Sequence, residues 1–249
     1  MQKTETSTGL AEYFPYGKEQ VNYLINCSKK HKFVFVETPK VACSTIKRVL
    51  QFIEVDGDKS KLPKDVHDRK NSPLLNPINI GVDLDELMSG DTYFRFCFVR
   101  NPFSRILSAY LDKVVENEWE RNRLLPTLGF AKDAKISLLQ FLKAIRQTPH
   151  IHKDIHWTPQ SYLLQKHKLN YHFIGRFENF AAGFRQVIKK IQPDADDNLF
   201  KIRADHHKTD ASSKIAEYIS PAERDLILEI FENDFEVFRY SIDPHFGAV

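Results

Sequence analysis

Residues 33–47 read Phe33-Val34-Phe35-Val36-Glu37-Thr38-Pro39-Lys40-Val41-Ala42-Cys43-Ser44-Thr45-Ile46-Lys47, and this stretch decides the fold. The apolar run 33–36, preceded by charge and followed by Thr38-Pro39, predicts a buried strand. Over 44–53, Ile46, Val49, Leu50 and Ile53 recur at the spacing of one helix face, and Ser44 or Thr45 is placed to cap that helix. A loop between a strand end and a helix start offers backbone N–H groups and the positive end of the helix dipole, which together attract an anion. Lys40 adds a mobile cation and Ser44 and Thr45 add hydroxyl donors, while the small Ala42 and Cys43 let an anion approach the backbone. The glycine-rich nucleotide loop G-x-x-x-x-G-K-[ST] is absent, because no glycine occurs between Gly17 and Gly57.

The same strand–loop–helix frame recurs at Phe96-Cys97-Phe98-Val99-Arg100-Asn101-Pro102-Phe103-Ser104-Arg105-Ile106-Leu107-Ser108-Ala109-Tyr110. Residues 93–99 read as a second buried strand. Pro102 suits the first position of a helix, where its missing N–H is not needed, and Ile106, Leu107, Tyr110, Leu111 and Val114 give that helix an apolar face. Arg100 falls at the carboxyl end of a strand, where ligands collect in open α/β sheets. Its guanidinium grips two phosphate oxygens and the Ser108 hydroxyl can take a third. Lys47 and Arg105 read as charges on helix surfaces.

Outward from these two blocks, 171–174 reads as a third strand, followed by a helix over 180–191. Further helices are expected near 84–88, over 138–145, and from about 212 onward with Pro221 opening a segment. Residues 55–92 and 116–135 are charged or proline-interrupted and read as excursions or lids that shape an acceptor site, whereas 147–160 is a loop rich in His, Pro and Trp. Strands alternating with helices imply a parallel sheet covered on both faces. The expectation is therefore an α/β protein: one domain spanning 1–249, P-loop-like, with three α/β/α layers, a mostly parallel central sheet and a helical C-terminal part. Within it, 1–30 is an N-terminal segment, 33–54 and 93–117 are the two anion-binding units, and 55–92 and 116–135 lie on the acceptor side.

Composition narrows the class. The chain has 249 residues, 42% hydrophobic with 19 Phe, and a formal net charge of only +3, which argues against a dedicated nucleic-acid binder. Its three cysteines, Cys27, Cys43 and Cys97, form no disulfide framework. No stretch approaches the ~20 apolar residues of a membrane span, and the first residues lack the apolar core of a signal peptide. A cytoplasmic location is the expectation.

Thr38-Pro39-Lys40-Val41-Ala42-Cys43-Ser44-Thr45 resembles the 5′-phosphosulfate loop of sulfotransferases. Arg100-Asn101-Pro102 followed by Ser108-Ala109-Tyr110 resembles their 3′-phosphate site, and the run 98–113 is most similar to the family-2 carbohydrate sulfotransferases, which include the chondroitin and HNK-1 enzymes. The resemblance is strong over 33–50 and 93–113 and weaker over 154–160, 173–180 and 231–241. It implies transfer of a sulfuryl group from 3′-phosphoadenosine-5′-phosphosulfate (PAPS) to a hydroxyl acceptor, a carbohydrate by family, with release of 3′,5′-ADP. It also implies that Lys40 contacts the bridging oxygen of the donor, that Pro39 and Val41 to Thr45 hold the phosphosulfate, and that Arg100 and Ser108 hold the 3′-phosphate. Neither the membrane anchor nor the paired cysteines of vertebrate members are expected within these 249 residues.

In-line sulfuryl transfer builds negative charge on the leaving phosphate oxygen, so positioning and electrostatic stabilisation dominate. Lysine and backbone amides supply that charge, and no metal is required. The acceptor must lose a proton to a general base. The segment His150-Ile151-His152-Lys153-Asp154-Ile155-His156-Trp157-Thr158-Pro159-Gln160 offers His156 first, in an HW-x-PQ element similar to a recurring family-2 block. Asp154 and His152 come next, and Glu37 after them. His152 and His156 share i, i+4 spacing, but the segment reads as loop and no third zinc ligand accompanies them. Arg176, after the third strand, and Arg203, with His206 and His207, are further candidates for the nucleotide. The competing readings are an ATP-dependent P-loop-like kinase, opposed by the missing glycines, and a non-catalytic nucleotide-binding module, which would be expected to lose Lys40 or Arg100.

Overall fold

The computed structural model describes residues 5–202 and 209–244; Arg203, His206 and His207 lie outside the described residues. Four strands, β1 (Ile25–Ser28), β2 (Phe33–Val36), β3 (Phe94–Val99) and β4 (Phe173–Arg176), are accompanied by helices α1 (Glu5–Tyr13), α2 (Lys18–Leu24), α3 (Cys43–Glu54), α4 (Leu84–Met88), α5 (Pro102–Tyr110), α6 (Glu118–Leu124), α7 (Leu138–Gln147), α8 (Gln160–Leu164), α9 (Phe180–Ile191), α10 (Ile215–Tyr218), α11 (Pro221–Ile230) and α12 (Glu232–Phe238). The chain divides into two compact units, residues 1–99 with 164–206 and residues 100–163 with 207–249.

The first unit is a mixed α/β body around one sheet of order β1-β2-β3-β4. The pairs β2–β3 and β3–β4 are parallel and β1–β2 is antiparallel. Parallel strands covered on both faces need apolar side chains on both. Every residue of β2 is buried, and so is all of β3 after Phe94. The core joins Phe33, Phe35, Phe96 and Phe98 to Val49, Leu50 and Ile53 of α3 and to Phe184, Val187 and Ile188 of α9. Each such side chain contributes about 1.5–3 kcal/mol when withdrawn from water. Gly175 in β4 lies so close to Phe98 that a Cβ there would meet ring carbon Cε1 at 2.3 Å. Arg95 is buried in β3 and is satisfied by carbonyls, its Nε donating to Asn170 O at 2.7 Å.

Two expectations about the ends of elements change in this unit. Neither Ser44 nor Thr45 caps α3: the N-cap is Ala42 in the left-handed region (φ 57°), with no side-chain cap hydrogen bond. The third predicted strand begins two residues later, at Phe173. The excursion 55–92 is tied to α3 and to β1. Arg48 donates to Pro63 O (2.8 Å) and Lys64 O (3.1 Å), and Gln51 donates to Val66 O (3.1 Å). Arg69 donates to Asn22 O (3.1 Å), Ile25 O (3.3 Å) and Asn26 Oδ1 (2.5 Å).

The second unit is helical. Every residue of α5 is buried, and a π-helical segment, Leu111–Glu116, continues from it. Ring contacts tie Phe103 to Phe235 of α12 (5.1 Å between centroids), Tyr110 to Phe141 of α7 (5.7 Å) and Phe141 to Trp157 (5.3 Å). Capping boxes at Ser137/Gln140 and Ser220/Glu223 start α7 and α11. The stretch 116–135, expected as loop or lid, carries α6 and a 3₁₀ turn, Leu125–Leu128. Its helix was hidden by charge. Asn117 caps it, accepting from Glu120 N, and Glu120 pairs with Lys113 (2.8 Å) and Arg123 (2.7 Å) while Leu124 and Leu125 are buried. Among the described residues, no helix is long and apolar enough to cross a membrane, and no group of His, Cys, Asp and Glu could hold a metal ion.

Candidate active site

The first candidate anion loop leaves the carboxyl end of β2 and enters α3 through two left-handed residues that are not glycine, Lys40 (φ 69°) and Ala42 (φ 57°). A methyl group at the N-cap offers no acceptor to the first-turn amides of α3, so the helix start keeps its positive end for another partner. Pro39 and Val41 are buried and Lys40 is partly exposed. The Thr38 hydroxyl is buried and has no hydrogen-bond partner among the described residues. Ser44 and Thr45 are buried in the first turn, and Cys43 is partly exposed. The Cys43 thiol is pushed up to about 12, first by burial and then by the negative Glu37 beside it.

Beneath this loop lies a buried charge cluster. Lys47, expected on the helix surface, is fully buried, with Nζ 2.8 Å from Glu37 Oε2. Burial alone would raise the Glu37 carboxyl, but the charge of the Lys47 ammonium outweighs it and holds it below the ordinary glutamate range. An ionised carboxylate locked in a buried pair is a structural anion, which removes Glu37 from the candidate bases. Arg176 is the last residue of β4, at the same carboxyl edge of the parallel strands as Glu37.

In the second unit, Arg100 is 6% exposed and tightly held. Its Nε donates to Ser104 Oγ (2.9 Å), its Nη2 to Ser212 Oγ (3.3 Å) and its backbone N to Gln160 Oε1 (2.8 Å). Ser108 Oγ lies 3.0 Å from Thr209 Oγ1. The predicted pair therefore faces one segment, 209–212, whose hydroxyls reach both. Gln160 is fixed in turn by Asp234, which is fully buried and accepts from Gln160 N (2.8 Å) and Ser161 N (2.7 Å). Gln160 closes the HW-x-PQ element, but no spacing marks it or Asp234 for these contacts, because their partners lie 60 and 74 residues away.

Arg105, also expected on a surface, is buried and donates to Thr158 O (2.9 Å) and Ile155 O (3.2 Å). It thus fixes the loop that carries His156. Trp157 drives into the core against Phe141, which anchors the same loop from the other side. Asp154 Oδ1 receives both the backbone N of His156 (3.0 Å) and its ring Nδ1 (2.6 Å). Burial would raise the Asp154 carboxyl, but the hydrogen bond and charge of His156, with Arg123, hold it down to about 2. A carboxylate on Nδ1 orients the imidazole and leaves Nε2 to take a proton. His152 is exposed at the end of a 3₁₀ turn, His150–His152, and shares no helix with His156.

The sequence profile of the sulfotransferase family matches residues 23–241. Among curated proteins, the chain is 28% identical over 173 residues to carbohydrate sulfotransferase 14 of Danio rerio, covering 65% of this chain and 46% of that one. It is 27% identical over 253 aligned positions to carbohydrate sulfotransferase 10 of Xenopus laevis (88% and 67%), and 27% over 243 to carbohydrate sulfotransferase 9 of Homo sapiens (85% and 52%). The chain spans about half to two thirds of the length of these relatives. No solved structure matches.

Proposed function

The chain belongs to the sulfotransferase family, and from that premise we propose that it transfers a sulfuryl group from PAPS to a carbohydrate hydroxyl and releases 3′,5′-ADP. The names of its relatives support a carbohydrate acceptor. The observation that carries the reading is the start of α3, where a left-handed Ala42 provides no cap and Lys40 stands two residues before it. An anion settled on those amides is stabilised by the helix dipole and by the ammonium.

In this proposal the loop from Pro39 to Thr45 takes the phosphosulfate and Lys40 neutralises the charge that grows on the leaving phosphate oxygen. Arg100 and Ser108 take the 3′-phosphate, with Arg176 a further cation for the nucleotide. His156, oriented by Asp154, removes the acceptor proton through Nε2. The Nδ1–carboxylate contact favours His156 over Asp154 and His152 as the base. The fold proposed with this chemistry is the three-layer, P-loop-like α/β/α arrangement.

The test is thermal stabilisation by 3′,5′-ADP against AMP, followed by transfer assays with radiolabelled donor and glycan acceptors. A ligand that binds the native state raises its melting temperature. The expected result is a clear preference for the nucleotide with the 3′-phosphate, erased by Arg100→Ala, whereas Lys40→Ala chiefly lowers kcat. Equal shifts from AMP and 3′,5′-ADP would refute the assignment.

A further inference from the structure

His67 comes from the excursion 55–92 and closes the charge cluster under the first loop. Its Nδ1 lies 2.7 Å from Lys47 Nζ and its Nε2 lies 2.9 Å from Ser44 Oγ. An ammonium has three donors and no acceptor, so it must face a lone pair on Nδ1. Tyr23 OH, 3.3 Å from the same nitrogen, is also able to donate to it. The rival arrangement, with a proton on Nδ1 given to Glu37, fails on distance, since Glu37 Oε1 is 4.0 Å away. The imidazole proton therefore sits on Nε2 and points at Ser44 Oγ. A hydroxyl that accepts this bond keeps its own proton to donate elsewhere.

We propose that His67 is a positioning residue for the donor loop: fixed by Lys47 in its Nε2–H form, it holds Ser44 as an acceptor, so that the Ser44 hydroxyl proton is presented to an oxygen of the bound phosphosulfate. The relay runs Glu37, Lys47, His67, Ser44, and each member is oriented by the one before it. The surrounding structure holds the relay still. Gln51 donates to the carbonyl of Val66 just before His67, Arg69 two residues after it donates to Asn22 O, and the Tyr23 ring lies nearly parallel to the imidazole at 6.4 Å between centroids. The role of Ser44 rests on the donor reading above, whereas the tautomer does not.

The tautomer is read from ¹⁵N spectra of the labelled wild-type protein. The expected pattern is a pyridine-type Nδ1 and a pyrrole-type Nε2 for His67; the reverse overturns the proposal whatever the activity. In steady-state assays, His67→Ala is expected to raise KM for PAPS about tenfold with a smaller change in kcat, the scale of one hydrogen bond to a charged ligand. His67→Gln, whose amide nitrogen falls near the Nε2 position, should restore KM to within about twofold, and His67→Asn, whose amide falls near Nδ1, should not. In a Ser44→Ala background the His67→Ala change should add nothing. Additive effects, or rescue by Asn and not Gln, overturn the proposal. Failure of the wild-type protein to bind 3′,5′-ADP would instead overturn the donor assignment and the role of Ser44 with it, a result distinct from a proton found on Nδ1.

Discussion

Replacing Asp154 with Asn deletes one negative charge from the His156 dyad and keeps the shape of the side chain. The Asp154 carboxyl, ordinarily near 3.8, is held at about 2, because His156 and Arg123 outweigh the burial that would raise it. A carboxyl depressed in the fold stabilises the fold above its unfolded value and loses that effect as pH falls through its folded value. The difference between 3.8 and about 2, at 1.36 kcal/mol per pH unit, amounts to roughly 2 kcal/mol. The side chain is 16% exposed, so solvent screening removes little of it. At pH 5, above both the folded and the unfolded value of the carboxyl, Asp154→Asn should cost roughly 2 kcal/mol, and at pH 3 about 1 kcal/mol. Urea unfolding of both proteins at pH 5, 4 and 3 measures this directly. A gap that stays constant over that range, or that is absent at pH 5, refutes the ion-pair account. At neutral pH the same variant should lower kcat by on the order of 100-fold, the scale of a general base that has lost its orienting partner, while its melting shift with 3′,5′-ADP is unchanged.

Gly175→Ala places a methyl 2.3 Å from the Phe98 ring and should lower stability by about 2 kcal/mol in urea titrations. Asp234→Ala leaves one buried and one part-buried backbone amide without their acceptor and should lose about 3 kcal/mol, with Asp234→Asn intermediate. Cys43, with its thiol raised to about 12, should react with iodoacetamide at pH 8 at least about 100-fold more slowly in the folded than in the unfolded protein, as mass spectrometry would show.

The parts of the fold written in local pattern were legible. The buried strands at 33–36 and 94–99 announce themselves as unbroken apolar runs, and α3 and α9 as apolar residues at helical spacing. β1 was not seen, because Ile25-Asn26-Cys27-Ser28 carries two polar side chains. They are tolerated in a buried strand because Arg69 donates to Asn26 and the backbone N of His31 donates to Ser28 Oγ. Tyr171 and His172 read as strand, so the sequence starts β4 two residues early; His172 does bond to Arg95 on both sides, but as an approach to the sheet rather than within it. Lys47 and Arg105 show the larger gap. A lone cation in a helix reads as surface, and only partners brought in by the fold make its burial tolerable: Glu37 and His67 for the first, the carbonyls of 155 and 158 for the second. Of the candidate site, the donor loop, Arg100, Ser108 and His156 were nameable from sequence. His67, Asp234, the hydroxyls of 209–212 and the role of Gln160 were not, since each acts through a long-range hydrogen bond that no spacing encodes.

The left-handed turn at Lys40 and Ala42 narrows what these positions accept over evolutionary time. Glycine or asparagine would relax either backbone, and β-branched residues fit neither. At position 40 every substitution that eases the torsion discards the ammonium, so backbone comfort and charge cannot be improved together there. At position 42 they are independent, and a drift to glycine is open to the lineage without touching the cation.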